Sequence, residues 1–193
     1  PAGSGSGRVA ATALALLLPL AALGLYFVFG NPEAIDVSPA TVRDSDLSPA
    51  ADPAAFRRQL VAHLAANPRD GRALVSLARL DMAEDRFAEA AANFARALEV
   101  APKVARDADI WCEYADALGM TQGGALAGKP TELIGRALAI DGRNAKALEM
   151  AGSAAYERRD FRMAAMYWKD LLAQMPPGTP TYAELATAIQ RAE

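Results

Sequence analysis

The sequence RNAKALEMAGSAAYERRDFRMAAMYWKDLLAQMP, residues 143–176, decides the fold of this chain. Small and large apolar residues lie at characteristic positions in each half of this segment. They are Leu148, Ala151 and Gly152 in the first half, and Ala164, Trp168 and Pro176 in the second. Small residues let two helices approach closely, while a large aromatic residue fills the remaining gap. The segment therefore predicts two packed antiparallel helices.

The same pattern occurs earlier in the chain. Pro102 follows Pro68 by 34 residues, and Pro176 follows Gly142 by 34. This is the period of the tetratricopeptide repeat (TPR), in which each unit is a pair of antiparallel helices. The first unit carries the pattern at Leu74, Leu77, Ala78, Ala90, Phe94 and Pro102. The middle unit is longer, at 40 residues, and is degenerate, because Pro130 and Ile134 stand where Ala and an aromatic residue are expected.

One such unit cannot bury its apolar face alone, so the units must stack. We predict an all-α TPR domain over residues 53–193, a superhelix of about three helix pairs with a flanking helix at each end. The units are about 69–102, 103–142 and 143–176, and the flanking helices are 53–66 and 181–193. The extra residues of the middle unit fall before Trp111 and in a loop at 119–124, which we expect to be mobile or to contact a partner.

The segment VAATALALLLPLAALGLYFVF, residues 9–29, carries no charge. A helix of this length covers roughly the 30 Å hydrocarbon core of a bilayer. We predict a transmembrane helix here, after a truncated upstream linker at 1–8 and before a flexible linker at 30–52. The alternative is a cleaved signal peptide, but its apolar region should be shorter and should end in a small-residue cleavage site. Gly30-Asn31-Pro32-Glu33 follows instead.

Charge predicts the orientation of this helix and excludes one class of partner. Arg8 precedes the span and acidic residues follow it, so the positive-inside rule places the N-terminal side in the cytoplasm. The whole chain has 20 basic and 23 acidic residues and a net charge of -3. Such a balance creates no basic surface for phosphate groups, so we expect no nucleic-acid partner.

Several segments resemble the CcmI/CycH family of bacterial cytochrome c maturation. They are LYFVFGNP at 25–32, YADAL at 114–118 with QGG at 122–124, RALAID at 136–141, and YWK at 167–169 with MPPG at 175–178. The likeness covers about residues 9–190. It implies a protein of the bacterial inner membrane whose periplasmic TPR domain holds apocytochrome c and presents it to the subunits of a haem-ligation complex. The repeat by itself also fits a generic membrane-anchored scaffold for another periplasmic or membrane assembly.

The first helix of each pair lines the concave face of such a stack, so side chains there that packing does not need would face a ligand. From the helical periodicity the predicted peptide-binding residues are Arg72, Val75, Arg79, Met82, Asp109, Glu113, Asp116, Lys146, Glu149, Ser153 and Tyr156, and Cys112 lies on the same face. Val75, Met82 and Tyr156 would be apolar anchors, while the charges set the register. The alternative is an ordinary solvated surface.

Little in the sequence favours catalysis. His63 is the only histidine, with no carboxylate or thiol expected near it, and Cys112 is the only cysteine, predicted to pack beside Trp111. A single cysteine excludes an internal disulfide and a multi-thiolate metal site. The sequence contains no Cys-x-x-Cys-His, no glycine-rich phosphate loop and no nucleophile elbow. We therefore expect no enzyme activity, cofactor or metal.

Overall fold

The computed structural model of the chain describes residues 52–193, which are helical and contain no strand. Their α-helices are α1 Pro53–Ala66, α2 Gly71–Ala83, α3 Phe87–Val100, α4 Ala108–Thr121, α5 Lys129–Ile140, α6 Ala145–Glu157, α7 Phe161–Leu172 and α8 Pro180–Ala192, with a 3-10 turn at Val104–Arg106. The predicted all-α class is confirmed for this part of the chain. The predicted membrane helix at 9–29, with residues 1–8 and 30–51, lies outside it. No helix between residues 52 and 193 combines the length and apolar character that crossing a bilayer requires.

The helices pack in consecutive pairs. The most extensive contacts join α2 to α3, α4 to α5 and α6 to α7, and each pair then packs on the next through α3 with α4 and α5 with α6. The helix α1 packs on α2 at one end, and α8 packs on α7 at the other. The first helices of successive pairs also meet, as the contact of α4 with α6 shows. This arrangement places α2, α4 and α6 in a row.

Side-chain caps explain where most of these helices begin. Asp52 accepts hydrogen bonds from the amides of Ala54 and Ala55, and Pro53 takes the first helical position of α1, where its missing N–H is not needed. Other cap residues accept a hydrogen bond from the amide two or three residues further on, and these are Asp70, Asp107, Asn144, Asp160 and Thr179. Local sequence is therefore enough to start these helices.

The corner between the two helices of each pair has one backbone geometry. A hydrogen bond closes it from an amide to the carbonyl five residues earlier: Arg86 N to Asp81 O, Gly124 N to Gly119 O, and Asp160 N to Ala155 O. The residue before each of these amides has a positive φ, namely Asp85 at 57°, Gly123 at 71° and Arg159 at 60°. This is the Schellman ending of a helix. The degenerate middle unit thus keeps the same corner as its neighbours.

The structure corrects the predicted loop at 119–124. The helix α4 continues through Gly119, Met120 and Thr121, and the connection runs from Gln122 to Gly128. A Cβ atom on Gly119 would lie 3.2 Å from Leu126 Cδ2 and 3.3 Å from the carbonyl oxygen of Ala125. The glycine therefore allows the connection to fold back closely over the last turn of α4, rather than ending the helix.

Buried side chains form three clusters along the stack. The first lies mainly between α2 and α3, around Leu74 and Phe94, the second between α4, α5 and α6, around Cys112 and Ile134, and the third between α6, α7 and α8, around Trp168. The helix α4 contributes to the first two clusters, and α6 to the last two. The core is therefore a row of small clusters in which neighbours share a helix.

Two sets of close contacts join neighbouring helices near the ends of the stack. Gly152 in α6 lies so near the indole of Trp168 that any Cβ there would overlap the ring. At the other end, Asp81 is buried with 1% of its surface exposed, and Arg57 Nη1 of α1 lies 2.7 Å from Asp81 Oδ1. Arg86 and Asn93 donate to the same carboxylate, at 3.0 and 2.8 Å. Asp81 therefore ties α1 to the first pair.

Candidate functional site

One face of the stack carries paired polar side chains that run across α2, α4 and α6. Arg79 donates to both carboxylate oxygens of Glu113, from Nε and from Nη2, each at 2.8 Å. These residues lie 34 positions apart, on the first helices of successive units. From α4 to α6, Asn144 Nδ2 donates to Asp109 Oδ1 at 2.7 Å, and the third pair is Asp116 Oδ2 with Lys146 Nζ at 3.9 Å. We call these six residues the polar ladder.

The polar ladder fixes the positions of side chains on this face but contributes little to the stability of the fold. Arg79 is largely exposed, and ion pairs of this kind contribute at most about 1 kcal/mol. Two parallel N–H to oxygen bonds nevertheless hold the guanidinium in one plane. The hydrogen bond to Glu113 raises the pKa of Arg79. A ligand therefore meets charges whose positions are already set.

A cavity of about 390 Å³ opens beside the ladder, between α2, the 3-10 turn and α4. Its lining residues are Arg72, Val75, Ser76, Arg79, Lys103, Val104, Asp107 and Ile110. Val75 and Ile110 are buried, whereas Arg72 and Lys103 are exposed. An apolar base with a charged rim suits an apolar side chain that enters from a polar segment.

The structure corrects the role given to Val75. We predicted a side chain that packing does not need, but Val75 belongs to the first buried cluster and reaches the cavity only as part of its wall. Helical periodicity identifies the face on which a residue lies. It does not show how deeply the neighbouring unit covers that residue, and here Ile110 from α4 packs into the same cluster.

The other predicted binding residues are not all brought together. Met82 is half-buried against the first cluster, while on α6 Glu149 is exposed and Ser153 is half-buried. Neither Glu149 nor Ser153 forms a side-chain hydrogen bond with another residue in 52–193. The Tyr156 ring lies 5.1 Å from that of Phe161 and 5.7 Å from that of Trp168, measured between ring centroids. Tyr156 thus contacts the aromatic rings of α7.

Sequence reasoning missed several cavity residues. Ser76, Lys103, Val104, Asp107 and Ile110 line the cavity, yet none was predicted. Three of them lie in or beside the 3-10 turn that lengthens the middle unit. The sequence did contain a signal for these residues, because the 34-residue period is interrupted before Trp111. Extra residues between two helix pairs must pack over one of the pairs.

His63 has a partner that we did not expect. Its Nε2 lies 2.9 Å from Asp70 Oδ2, and this hydrogen bond lowers the pKa of the Asp70 carboxyl. Both side chains lie outside the ladder, on α1 and at the cap of α2. Among residues 52–193 no three His, Cys, Asp or Glu side chains are grouped as metal ligands.

Cys112 is buried in the second cluster, and burial raises the pKa of its thiol to about 11. A raised pKa keeps the thiol protonated as pH rises, so about one molecule in 10⁴ carries a thiolate at pH 7. We expect Ellman's reagent at neutral pH to react with folded Cys112 at least about 100-fold more slowly than with an exposed cysteine.

The matched control is Met120→Cys in a Cys112→Ser chain, because Met120 is exposed near the end of the same helix. Unfolding in urea should remove the difference between the two thiols. Equal rates in the folded state would show that Cys112 is accessible and that its pKa is not raised.

Helix pairs with this period, stacked around shared clusters, define a tetratricopeptide-repeat domain. The crystal structure of MamA is similar, with a TM-score of 0.58 and 15% sequence identity over 74% of this chain and 87% of that chain. That likeness supports the all-helical repeat fold alone.

Residues 48–182 match the family described as the TPR domain of cytochrome c-type biogenesis protein H, and the chain belongs to this family. The cytochrome c-type biogenesis protein CycH of Pseudomonas aeruginosa PAO1 is 28% identical over 186 residues. The alignment covers 96% of this chain and 44% of that relative, so the chain spans less than half of the relative's length. The resemblance to the CcmI/CycH family seen in the sequence is confirmed.

Proposed function

We propose that this chain is a non-catalytic subunit of the bacterial cytochrome c maturation system. It binds apocytochrome c on the face of α2, α4 and α6 and presents the client to the haem-ligation complex for covalent haem attachment. The family supports the general role. The observation that carries the binding step is the polar ladder with the apolar-based cavity at its edge.

The proposed location follows from the apolar segment 9–29. This segment anchors the chain in the inner membrane, residues 30–52 are the linker, and the TPR domain lies in the periplasm. Tethering of this kind raises the local concentration of the domain beside other membrane-bound subunits. Presentation to a membrane complex therefore does not require a strong second contact.

An unfolded or helical segment of the client would bind with one apolar side chain in the cavity over Val75 and Ile110. Polar residues beside it would meet the ladder, whose fixed charges select one register. Folding of the cytochrome around haem buries the apolar side of that segment. The apo form should therefore bind the face much more tightly than the holo form.

The face itself is poorly suited to hold haem iron. Its thiol, Cys112, is buried and protonated, and the single histidine of the chain is on α1, paired with Asp70. Of the other usual axial ligands, methionine and tyrosine, Met82 is half-buried against the first cluster and the ring of Tyr156 packs against Phe161 and Trp168. Recognition in this proposal rests on the polypeptide of the client, and haem is delivered by other subunits.

The test is a titration of the full 193-residue chain, held in lipid nanodiscs, with apocytochrome c and with holocytochrome c. The apo form should bind at least tenfold more tightly, which is about 1.4 kcal/mol. Ser76→Phe places a ring in the cavity and should weaken apocytochrome binding at least tenfold, at unchanged helicity. Cys112→Ser should change the affinity only a few-fold.

The matched control is Ala92→Phe, which adds the same ring to an exposed position of α3, the other helix of the pair. It should leave affinity within about twofold, since a surface residue away from the site contributes little. Equal affinity for the apo and holo forms would contradict the chaperone role. Equal effects of the two phenylalanines would place the binding face elsewhere.

A further inference from the structure

A second surface lies at the corner between α6 and α7. Of the large hydrophobic side chains exposed in residues 52–193, three are here: Tyr156 at 42%, Phe161 at 41% and Met166 at 44%. The ring of Tyr156 meets that of Phe161 edge-on and tilts over Trp168 of the third cluster. We call Tyr156, Phe161 and Met166 the corner patch. Its aromatic rings rest on a buried ring, so this apolar surface is held in place without a partner.

A cavity of about 680 Å³ adjoins the corner patch, between α7 and the end of α8. Phe161, Arg162, Ala165, Met166 and Lys169 line it from α7, with Ala192 and Glu193 opposite. It is larger than the cavity of about 390 Å³ beside the polar ladder. Exposed aromatic and methionine side chains around such a recess are typical of a binding surface that takes apolar anchors from a partner.

Charged side chains of both signs surround this surface, but its arginines have no carboxylate partner among residues 52–193. Arg158, Arg159 and Arg162 lie on the corner and the first turn of α7. Of the three nearby carboxylates, Glu157 accepts from Leu126 N at 2.9 Å and Asp160 accepts from Met163 N at 3.2 Å, while Glu193 is paired with Lys169. Arg158 Nη1 donates to Thr131 Oγ1 at 3.5 Å, whereas Arg159 and Arg162 form no side-chain hydrogen bond within residues 52–193 and remain available to an incoming ligand.

We propose that the corner patch is a second docking surface, which binds an amphipathic helix with acidic flanks from another protein. The apolar stripe of that helix would cover Tyr156, Phe161 and Met166 and place one side chain in the cavity. Its carboxylates would pair with the arginines of the corner. Such charge pairs set the orientation of the bound helix and select its sequence.

A second copy of this chain fits the surface less well. In a symmetric dimer the same patch faces itself, so Arg158, Arg159 and Arg162 of both copies would enter one interface. Like charges brought together there are unfavourable. An acidic helix removes that repulsion and pairs the same arginines, so charge complementarity selects it over self-association.

Tyr156 was predicted as an anchor for the client, but its ring lies against Phe161 and Trp168 of α7. The corner patch and the polar ladder share no residue, and the docking proposal does not depend on apocytochrome binding. One chain could hold a client on the ladder and a partner subunit at the corner. The docking proposal and the client-binding proposal can fail independently, because the peptides that test docking contain no cytochrome sequence.

The probes are two synthetic helical peptides of about 18 residues, or five turns, with the same leucine stripe. One carries Glu on both flanks and the other carries Lys. Labelled peptide is titrated with the full chain in nanodiscs of zwitterionic lipid, and anisotropy reports binding. The acidic peptide should bind at least tenfold more tightly than the basic one. Arg162→Glu should weaken the acidic peptide and strengthen the basic one.

Met166→Asp should weaken the acidic peptide at least tenfold. The matched control is Met120→Asp, since Met120 is 41% exposed but lies at the end of α4, and it should leave the affinity within about twofold. Equal affinity for the two peptides, or equal effects of the two aspartates, would overturn the proposal. Analytical ultracentrifugation tests whether a second copy of the chain covers the patch. A dimer that Met166→Asp converts to a monomer would show that it does, and would overturn the proposal of an acidic partner.

Discussion

Replacing Gly152 by valine should lower the free energy of unfolding of the repeat domain by about 3 kcal/mol. A Cβ at this position overlaps the indole of Trp168, so the added side chain must push α7 away from α6. Trp168 lies at the centre of the third cluster, and Tyr156 packs on it from outside. A core packed at this density has no spare volume to take up the shift. The same displacement should expose Trp168 and change its fluorescence.

The matched control is a second helical glycine. Gly135 lies inside α5, and a Cβ added there meets nothing within 4 Å. Gly135→Ala should therefore stabilise the domain by up to about 1 kcal/mol through helix propensity, while Gly152→Ala should destabilise it in spite of the same propensity gain. Urea unfolding followed by helical circular dichroism measures both. Changes of the same sign at the two glycines would contradict the close approach of α6 and α7.

Removing the carboxylate of Asp81 should lower the free energy of unfolding by about 3 kcal/mol. Asp81→Ala leaves Arg57, Arg86 and Asn93 without their shared acceptor, and buried donors that lose a partner are unfavourable. Both arginines also pair with Glu84 and retain some contact with water, which keeps the effect at the lower end of the range for a broken buried pair. The helix α1 should loosen first, because the contact of Arg57 with Asp81 joins it to α2.

Amide hydrogen exchange can follow α1 separately from the rest of the domain. In Asp81→Ala its amides should exchange faster than those of α4 and α5. Asp170→Ala is the control, because Asp170 is exposed on α7 and forms no ion pair with another residue in 52–193, so its removal should change stability by less than about 0.5 kcal/mol. An equally small effect at Asp81 would mean that its ion pairs do not hold α1.

The fold class could be predicted because its signals are local or periodic. An aspartate followed by proline is a local helix-start signal, and α1 begins at Pro53 after the cap Asp52. The 34-residue period of the first and third units identified paired helices, and in the 40-residue middle unit Pro130 and Ile134 are buried although they depart from the pattern. Each of these signals depends on neighbours in sequence or on a repeated spacing. Neither requires knowledge of how one unit is rotated on the next.

The candidate site depends on that rotation, and so only part of it could be predicted. Arg79 and Glu113 lie on the predicted face and meet across it, but periodicity could not show that they pair with each other. Phe161 and Met166 were not predicted as binding residues, because only the first helix of each pair was expected to face a ligand. Asp81 carried no sequence signal, since an aspartate in a helix is usually solvated and only tertiary packing surrounds it with two arginines.

At the corners between paired helices the exposed side chain differs from unit to unit, while the main-chain geometry is the same. Their closing hydrogen bond uses only main-chain atoms, and its left-handed position holds an acid at Asp85, glycine at Gly123 and a base at Arg159. Residues that tolerate this backbone can therefore be exchanged there at a modest conformational cost. Within this chain the charge at the corner changes from unit to unit, while the hydrogen bond that closes the corner stays the same.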